Sequence, residues 1–317
     1  MIRQVIIDKG IPFLEGVFPP EIKVLHLSPE DITADAVREA DALFVRTRTQ
    51  INKDLLQGSR VRFVATATIG FDHIDQVYCH DMGIEWVSCP GCNAQAVCDY
   101  IEEAISSIKN NQTDLTIGII GYGHVGKLVA QMAERKGYRV LISDPPLGIG
   151  MSLSELAPQC DILTFHTPLT HDGEHATYHL CNADIMRMCK PNVLIINAAR
   201  GGVVDEKALI EHLKLNPNTQ IVVDCWENES HINHTLLEKV NLATYHIAGY
   251  SVQGKMNASE MCLRAFCEFF SLPILSINKK AVPLHGDSEP GWLKRISDQL
   301  KATPEHFEQL RKNYPLR

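Results

Sequence analysis

The sequence Asp114-Leu-Thr-Ile-Gly-Ile-Ile-Gly-Tyr-Gly-His-Val-Gly-Lys127 decides the fold of this chain. A short apolar run precedes the glycines Gly121, Gly123 and Gly126, and a segment of helical period follows from Val125 to Lys136. A strand, a glycine turn and a helix in this order are the context in which such glycines bind the pyrophosphate of a dinucleotide. The first glycine permits a tight turn, the second lets the phosphate approach the backbone, and the third lets the helix pack closely on the strand. The motif therefore predicts a dinucleotide site at a helix N-terminus.

The residue that follows the next strand indicates which dinucleotide binds. The strand predicted from Tyr138 to Ser143 is followed by Asp144, 18 positions beyond Gly126. A carboxylate there can accept hydrogen bonds from the ribose hydroxyls of NAD and would repel the additional phosphate of NADP. The sequence contains no Arg or Lys between Asp144 and Arg187 that would favour NADP. The sequence therefore predicts NAD as the cofactor.

Length, composition and charge limit the possible classes of protein. The chain has 317 residues, of which 45% are hydrophobic and 21% are charged, so it can form two domains with cores of their own. A formal charge of −8 argues against nucleic-acid and membrane partners. The N-terminus enters a strand pattern directly and has no signal-peptide core, which predicts a cytoplasmic protein. In that compartment the ten cysteines would be reduced thiols.

Alternating apolar runs and helix-like segments predict the fold class. We expect an α/β fold in which a doubly wound parallel-sheet NAD domain, residues 93–258, is inserted in a smaller flavodoxin-like α/β substrate domain. The substrate domain would comprise residues 1–92 and 259–317, ending in a short C-terminal tail rich in charge and proline. The predicted strands before residue 92 are Gln4–Ile7, Lys23–Leu27, Ala42–Val45, Arg62–Thr66 and Ile84–Val87, and those after Asp144 are Ile162–Phe165, Val193–Asn197, Ile221–Asp224 and Leu242–Tyr245. The two long predicted helices are Asn93–Asn111 and Met256–Phe270.

Three residues that can carry chemistry follow successive predicted strands. Arg200, Glu229 and His246 all fall at the carboxyl ends of strands, where open α/β sheets bind their ligands. A guanidinium can hold a carboxylate, an imidazole can take a hydroxyl proton, and a neighbouring carboxylate can orient that imidazole. Singly, each has an ordinary structural explanation: a helix-end contact, a solvated loop residue or a core histidine. Together, beside a dinucleotide motif, they predict oxidation of a 2-hydroxy acid by hydride transfer to NAD.

On these residues the chain resembles the D-isomer-specific 2-hydroxyacid dehydrogenase family. The resemblance extends from the first strand to about residue 270. It is carried by seven segments: Val45-Arg-Thr-Arg-Thr49, Phe63-Val-Ala-Thr-Ala-Thr-Ile-Gly-Phe-Asp-His-Ile-Asp75, Cys89-Pro-Gly-Cys-Asn-Ala94, Asp161-Ile-Leu-Thr-Phe-His-Thr-Pro168, Asn197-Ala-Ala-Arg-Gly-Gly202, Asp224-Cys-Trp-Glu-Asn-Glu229 and His246-Ile-Ala-Gly-Tyr-Ser251.

The resemblance implies a role for each matching position. Arg200, Glu229 and His246 would be the catalytic residues. NAD would contact Gly121, Gly123, His124, Val125, Asp144, Thr167, Asp224 and Gly249. The substrate would be held by Thr47, Thr68 and Tyr250, and the positive charges of Arg46 and Lys255 would neutralise a phosphate on it. The implied substrate is a phosphorylated 2-hydroxy acid. The implied assembly is a homodimer, although the chain carries only part of the family's C-terminal dimerisation domain.

Two alternatives to this function stay open at the level of sequence. The substrate could be an unphosphorylated 2-hydroxy or 2-oxo acid such as hydroxypyruvate, or the chain could be a nucleotide-sensing binding protein on the same fold. We expect no metal site. Cys89-x-x-Cys92 has no second pair of ligands, and His171, His175 and His179 fall in a segment whose proline and glycine favour a surface loop.

Overall fold

A computed structural model describes residues 2–110, 112–279 and 291–315, which form two compact units. The first unit comprises the described residues of Met1–Asn93 and Ser251–Gly286, and the second comprises those of Ala94–Tyr250 and Asp287–Leu316. The helix predicted to end at Asn111 begins at Ala94 and continues to Lys109, and Asn111 itself lies outside the described residues.

The described residues contain these strands and helices. The strands are β1 Gln4–Asp8, β2 Lys23–Leu27, β3 Ala42–Val45, β4 Phe63–Thr66, β5 Glu85–Val87, β6 Thr116–Ile120, β7 Arg139–Asp144, β8 Ile149–Gly150, β9 Ile162–Phe165, β10 Leu194–Asn197, β11 Gln220–Val223 and β12 Leu242–Ala243. The helices are α1 Ala34–Val37, α2 Lys53–Leu56, α3 Gln76–Asp81, α4 Ala94–Lys109, α5 His124–Arg135, α6 Leu153–Leu156, α7 Ala183–Met188, α8 Glu206–Leu215, α9 His234–Lys239, α10 Val252–Phe269, α11 Trp292–Ala302 and α12 Phe307–Asn313.

The first unit is built on a parallel sheet of five strands in the order β2-β1-β3-β4-β5. This is the flavodoxin-like order of doubly wound sheets, as predicted. Strands β1, β3 and β4 are buried along their whole length, which explains why their central residues are consecutive apolar residues rather than alternating ones. Helix α10 packs on this sheet through Phe266, whose ring lies 5.5 Å from that of Phe44.

The second unit is built on a sheet of seven strands in the order β12-β11-β10-β9-β6-β7-β8. All neighbouring strands are parallel except β8, a two-residue strand that pairs antiparallel with β7 and that the sequence did not predict. Counted from its other end, this sheet begins β8-β7-β6-β9-β10-β11. These six strands have the order of a nucleotide-binding domain, in which the chain first builds the sheet outward from β6 on one side and then continues from β9 on the other. The carboxyl ends of β6, β9, β10, β11 and β12 share one edge, so the loops that follow these strands lie along it.

The C-terminal tail departs from the predicted division of the chain. The sequence assigned residues 259–317 to the first unit, whereas helices α11 and α12 belong to the second. Leu293, Leu300 and Phe307 are fully buried in the core of that unit. The hydroxyl of Ser297 also accepts a hydrogen bond from the N–H of Ala243, at 2.9 Å. The tail joins the second unit because its apolar residues recur at helical spacing and cover the edge of the sheet next to β12.

None of the helices in the described residues combines the length and the apolar character that a bilayer span requires.

Candidate active site

The glycine loop between β6 and α5 has the shape that a pyrophosphate needs. Gly121 has a φ of +92°, and a Cβ atom there would lie 2.8 Å from the carbonyl oxygen of His166. A Cβ on Gly126 would lie 2.0 Å from the carbonyl oxygen of Gly121, so the helix packs directly on the turn. Gly123, the residue before the helix, faces open space, and as the N-cap residue it provides no side-chain hydrogen bond to the first N–H groups of α5. His124 and Val125 form the first turn of this helix, where an anion would be bound.

Two polar side chains, at the ends of the strands on either side of β6, complete the fit to a dinucleotide. Asp144 ends β7, and its carboxylate accepts hydrogen bonds from the N–H groups of Tyr122, at 2.6 Å, and Leu147, at 3.2 Å. Thr167 follows β9, and its hydroxyl is buried without a hydrogen-bond partner in the described part of the chain. A buried hydroxyl in this state is costly unless a ligand satisfies it. The orphaned hydroxyl, the open helix end and the carboxylate fit NAD.

Arg200 lies in a loop that is held rigidly after β10. The side-chain amide of Asn197 donates to the carbonyl oxygens of Arg200, at 3.0 Å, and Cys225, at 3.2 Å. Gly201 packs so closely on the next loop that a Cβ there would lie 1.8 Å from the carbonyl oxygen of Trp226. The guanidinium itself donates only to the carbonyl oxygen of Ala199, and it has no acidic partner within the described ranges. Its charge therefore remains available for an anion.

Glu229 and His246 form a close pair. Nδ1 of His246 lies 2.5 Å from Oε1 of Glu229. A carboxylate can only accept, so Nδ1 carries the proton and Nε2 of the same ring is left to act on a substrate. Burial raises the pKa of the Glu229 carboxyl, but the hydrogen bond and charge of His246 and the charge of Arg311 outweigh burial and hold the pKa below its ordinary value. Glu229 is therefore an anion at neutral pH.

Asp224 holds the loop that carries His246. This fully buried carboxylate accepts hydrogen bonds from the Thr244 hydroxyl at 2.6 Å, the Ile247 N–H at 2.8 Å and the Ala248 N–H at 3.0 Å. His246 has a φ of +58°, a conformation that costs free energy for any residue with a Cβ and that the surrounding hydrogen bonds must hold. Gly249 and Tyr250 continue the same loop. The contacts of the Asp224 carboxylate thus fix the position of the imidazole.

One residue at this site was missed by the sequence reasoning. Arg311, on helix α12 of the tail, places Nη1 3.2 Å from Oε2 of Glu229, the oxygen that His246 does not use. It also forms a hydrogen bond with the side chain of Tyr250. The helical spacing of Trp292, Ile296 and Leu300 could have predicted that the tail docks as a helix, but no local pattern indicates where Arg311 would lie.

The same cluster includes a cysteine and so contains three possible metal ligands. Ligand atoms of Cys225, Glu229 and His246 lie within 4.8 Å of one another. Burial raises the pKa of the Cys225 thiol well above its ordinary range, as do the charges of Asp224 and Glu229, while those of Arg200 and Arg311 oppose the shift. Within this cluster, the hydrogen-bonded pair of His246 and Glu229 is suited to proton transfer.

In the first unit, two of the predicted substrate residues form a cationic cluster. Arg46 follows β3 and pairs with Asp8 through two hydrogen bonds, of 3.0 and 2.9 Å. Lys255 lies in the first turn of α10, and its pKa is lowered to about 8, first by burial and then by the charge of Arg46, against the opposing effect of Asp8. Asp8 is fully buried at the end of β1 and was not predicted. Two cations around one carboxylate leave an excess positive charge for an anionic ligand.

The other two predicted substrate residues of this unit follow neighbouring strands. Thr47 is exposed after β3. Thr68 follows β4, where its hydroxyl donates to the carbonyl oxygen of Gly70 at 2.9 Å and lies 2.7 Å from the hydroxyl of Thr66. The hydroxyl of Thr49 is buried and has no partner in the described residues.

The cysteine and histidine motifs that the sequence set aside have structural partners. Cys89 is buried with its sulfur 3.4 Å from that of Cys262, and burial raises the pKa of Cys92 to about 12. His179 lies in a loop, with Nε2 3.0 Å from Glu227 and Nδ1 3.4 Å from Asp205. The two carboxylates face different nitrogens of one ring, and a possible ligand atom from each of the three residues lies within 4.8 Å of the other two.

Sequence comparison identifies relatives over the whole chain. The profile of the D-isomer specific 2-hydroxyacid dehydrogenase family, NAD binding domain, matches residues 99–248. An erythronate-4-phosphate dehydrogenase from Bacteroides thetaiotaomicron is 43% identical over 99% of this chain and 96% of the relative. The enzyme of the same name from Porphyromonas gingivalis is 37% identical over 98% of this chain and 92% of the relative.

Structure comparison finds the same fold in more distant proteins. The NAD+-bound 3-phosphoglycerate dehydrogenase of Entamoeba histolytica matches with a TM-score of 0.72 at 22% identity, covering 86% of this chain and 96% of the other. The D-lactate dehydrogenase of Aquifex aeolicus, in complex with NAD and lactic acid, matches with a TM-score of 0.68 at 23% identity, covering 84% and 95%. The predicted fold class is confirmed.

Proposed function

Since the chain belongs to the erythronate-4-phosphate dehydrogenase family, and so to the NAD-dependent D-isomer-specific 2-hydroxyacid dehydrogenases, we propose that it oxidises 4-phospho-D-erythronate. The 2-hydroxyl group becomes a ketone, giving 2-oxo-3-hydroxy-4-phosphobutanoate, NADH and a proton. This reaction would be a step in the biosynthesis of pyridoxal phosphate. The observation that carries the proposal is the pairing of His246 with Glu229, together with an Arg200 that has no acidic partner among the described residues.

The residues of the second unit would divide the chemistry as follows. Arg200 would bind the carboxylate of the substrate and polarise the adjacent carbon–oxygen bond. Nε2 of His246 would accept the proton of the 2-hydroxyl, while Glu229 stabilises the imidazolium that results. NAD, when bound, accepts the hydride from carbon 2. Tyr250, which shares a loop with His246, would contact the substrate.

The cofactor would be held along the edge of the sheet that bears these loops. Gly121, Gly123, His124 and Val125 would surround the pyrophosphate, and Asp144 would bind the ribose hydroxyls. The buried hydroxyl of Thr167 would form its hydrogen bond with the cofactor. Asp224 and Gly249 would contact the cofactor at the His246 loop, which Asp224 also holds in position.

Residues of the first unit would bind the phosphorylated substrate. Arg46 and Lys255 supply the excess positive charge, and Thr47 and Thr68 supply hydroxyl donors. Burial and then the charge of Arg46 lower the pKa of Lys255, and a bound phosphate would offset the repulsion between the two cations. This cluster favours a phosphorylated substrate over hydroxypyruvate.

The test is the absorbance of NADH after the purified protein is mixed with NAD and 4-phospho-D-erythronate. Rapid NADH formation that requires the phosphate would support the proposal. Equal turnover of D-erythronate, or faster reduction of hydroxypyruvate with NADH, would instead indicate a dehydrogenase for an unphosphorylated acid. Binding of NAD without turnover of any hydroxy acid would indicate a nucleotide-sensing protein.

We also propose that the enzyme acts as a cytoplasmic homodimer. All ten cysteines are unpaired thiols, as a reducing compartment would keep them. The assembly is proposed from the family resemblance. Light scattering on the eluted protein measures its mass, and a value near that of one 35.4 kDa chain would contradict the dimer.

A further inference from the structure

The tail helix α12 brings a cation to the second oxygen of Glu229. Arg311 lies 82 positions from Glu229 in the sequence, and its Nη1 is 3.2 Å from Oε2, while His246 occupies Oε1. The helix is anchored by Phe307, which is fully buried. The ring of Tyr314 lies 5.9 Å from that of Tyr245, next to His246 in the sequence. The contact therefore belongs to a packed element of the second unit.

The charges around this carboxylate work in one direction. Glu229 faces His246 and Arg311, and its surroundings also include the thiol of Cys225. Arg311 in turn faces Tyr250 and Glu308, whose carboxylate lies 3.9 Å away. Burial alone would raise the pKa of Glu229, and Arg311 is one of the groups that hold it down. Without this cation, the half-buried carboxylate would depend on His246 and on the hydrogen bond of the Trp226 backbone.

We propose that Arg311 is a positioning residue, which fixes Glu229 against His246 and ties Tyr250 to the same carboxylate. The C-terminal tail thereby completes the proton-transfer site of its own chain. With one oxygen held by Arg311, the carboxylate can present only the other to Nδ1, so the imidazole keeps the tautomer in which Nε2 accepts the substrate proton. This inference rests on the proposed function, because it assigns Arg311 to the same reaction.

The experiment compares Arg311→Gln, Arg311→Lys and Arg311→Ala with Lys312→Gln, which removes an exposed charge from the next residue of the helix. With 4-phospho-D-erythronate and NAD, we expect kcat of Arg311→Gln to fall about tenfold, since the base is present but poorly oriented. KM for NAD should stay within twofold. Arg311→Lys should recover part of the loss, and millimolar guanidinium should raise kcat of Arg311→Ala severalfold, whereas the same concentration of urea should not.

A second readout separates positioning from a general structural effect. Removing Arg311 removes a cause that lowers the pKa of Glu229, so the carboxylate is protonated at higher pH than before. The acid limb of the kcat profile of Arg311→Gln should therefore move to higher pH, while that of Lys312→Gln should coincide with wild type. A different result would mean that Arg311 only docks the helix. In that case kcat would fall by the same factor at every pH, Arg311→Lys would lose as much kcat as Arg311→Gln, and guanidinium would not restore kcat of Arg311→Ala.

The inference and the proposed function fail in different ways. An active wild type together with an Arg311→Gln variant within twofold of its kcat and with an unshifted profile would overturn the role of Arg311 alone. A wild type that forms no NADH from 4-phospho-D-erythronate would overturn the proposed function, and the inference with it. Should Arg311→Gln fail to fold, Arg311→Lys and guanidinium rescue of Arg311→Ala decide the question.

Discussion

His246 and Glu229 lie with Nδ1 and Oε1 2.5 Å apart, although they belong to loops that follow different strands of the sheet. Nδ1 keeps its proton and donates it in a hydrogen bond to the carboxylate, which leaves Nε2 as the reactive nitrogen. It is maintained from both sides, because Asp224 holds the backbone that follows His246 and Arg311 holds the second oxygen of Glu229. The reactive ring is thus positioned by residues that need not contact the substrate.

Replacing His246 by Gln should lower kcat by at least about 10²-fold, because a correctly positioned base raises the reaction rate on the order of 10²- to 10⁴-fold. Gln keeps a polar side chain of similar size but cannot accept the proton. Affinity for NAD, measured by fluorescence titration, should change little. His175→Gln, at an exposed loop position, serves as the matched control and should keep its activity. Turnover of His246→Gln within a few fold of wild type would mean that another group accepts the proton.

Replacing Asp224 by Asn should destabilise the second unit and reduce kcat together. The amide would turn one donor toward the N–H groups of Ile247 and Ala248, and a buried donor left unpaired costs roughly 1 to 3 kcal/mol. Urea unfolding should show a lower midpoint. Thr244→Val removes one donor to Asp224 and one partner of the Tyr100 hydroxyl but keeps the contacts of Ile247 and Ala248, so kcat should fall less than in Asp224→Asn. If Asp224→Asn unfolds like wild type, the carboxylate is not what holds the loop.

Much of the fold could be predicted because its signals are local. The apolar runs of β3 and β9 and the glycines before α5 identify a parallel sheet and a nucleotide loop without tertiary information. The same reasoning placed Arg200, Glu229 and His246 at strand ends on one edge. It could not supply the 2.5 Å contact, because the path of two loops depends on hydrogen bonds to Asp224 that join distant segments.

The position of the C-terminal tail could not be predicted from local patterns. The spacing of Leu293, Ile296 and Leu300 is helical, but a helix pattern does not state which unit its apolar face will cover. The tail was therefore assigned to the wrong unit, and Arg311 was missed with it. Asp8 was missed for the same reason, since its pairing with Arg46 spans 38 residues and two strands.

Replacing Asp144 by Asn should weaken the discrimination between NAD and NADP. The amide oxygen can still accept one hydrogen bond from the loop N–H groups of Tyr122 or Leu147, but the charge that repels the additional phosphate of NADP is lost. We expect the ratio of kcat/KM for NAD to that for NADP to fall by roughly tenfold, equivalent to about 1.4 kcal/mol. Asp172→Asn, an exposed carboxylate in a loop, controls for net charge. An unchanged ratio in Asp144→Asn would show that the carboxylate does not face the ribose.

Lys255 should make substrate binding depend on pH in the alkaline range. Its pKa is lowered to about 8, first by burial and then by Arg46, so the side chain is mostly charged at pH 7 and loses its charge as the pH rises through 8. Because a phosphate prefers the charged form, KM for 4-phospho-D-erythronate should rise between pH 7 and 9, approaching about tenfold for each unit above the pKa. In Lys255→Met the KM should already be raised at pH 7 and should stay nearly constant to pH 9.

Lys53→Met, at an exposed position of the same unit, should follow the wild-type profile. D-erythronate, which lacks the phosphate, should show no such rise with the wild type. If Lys255→Met keeps the wild-type dependence of KM on pH, the titrating group is not Lys255, and the cationic cluster does not bind the phosphate in the way proposed.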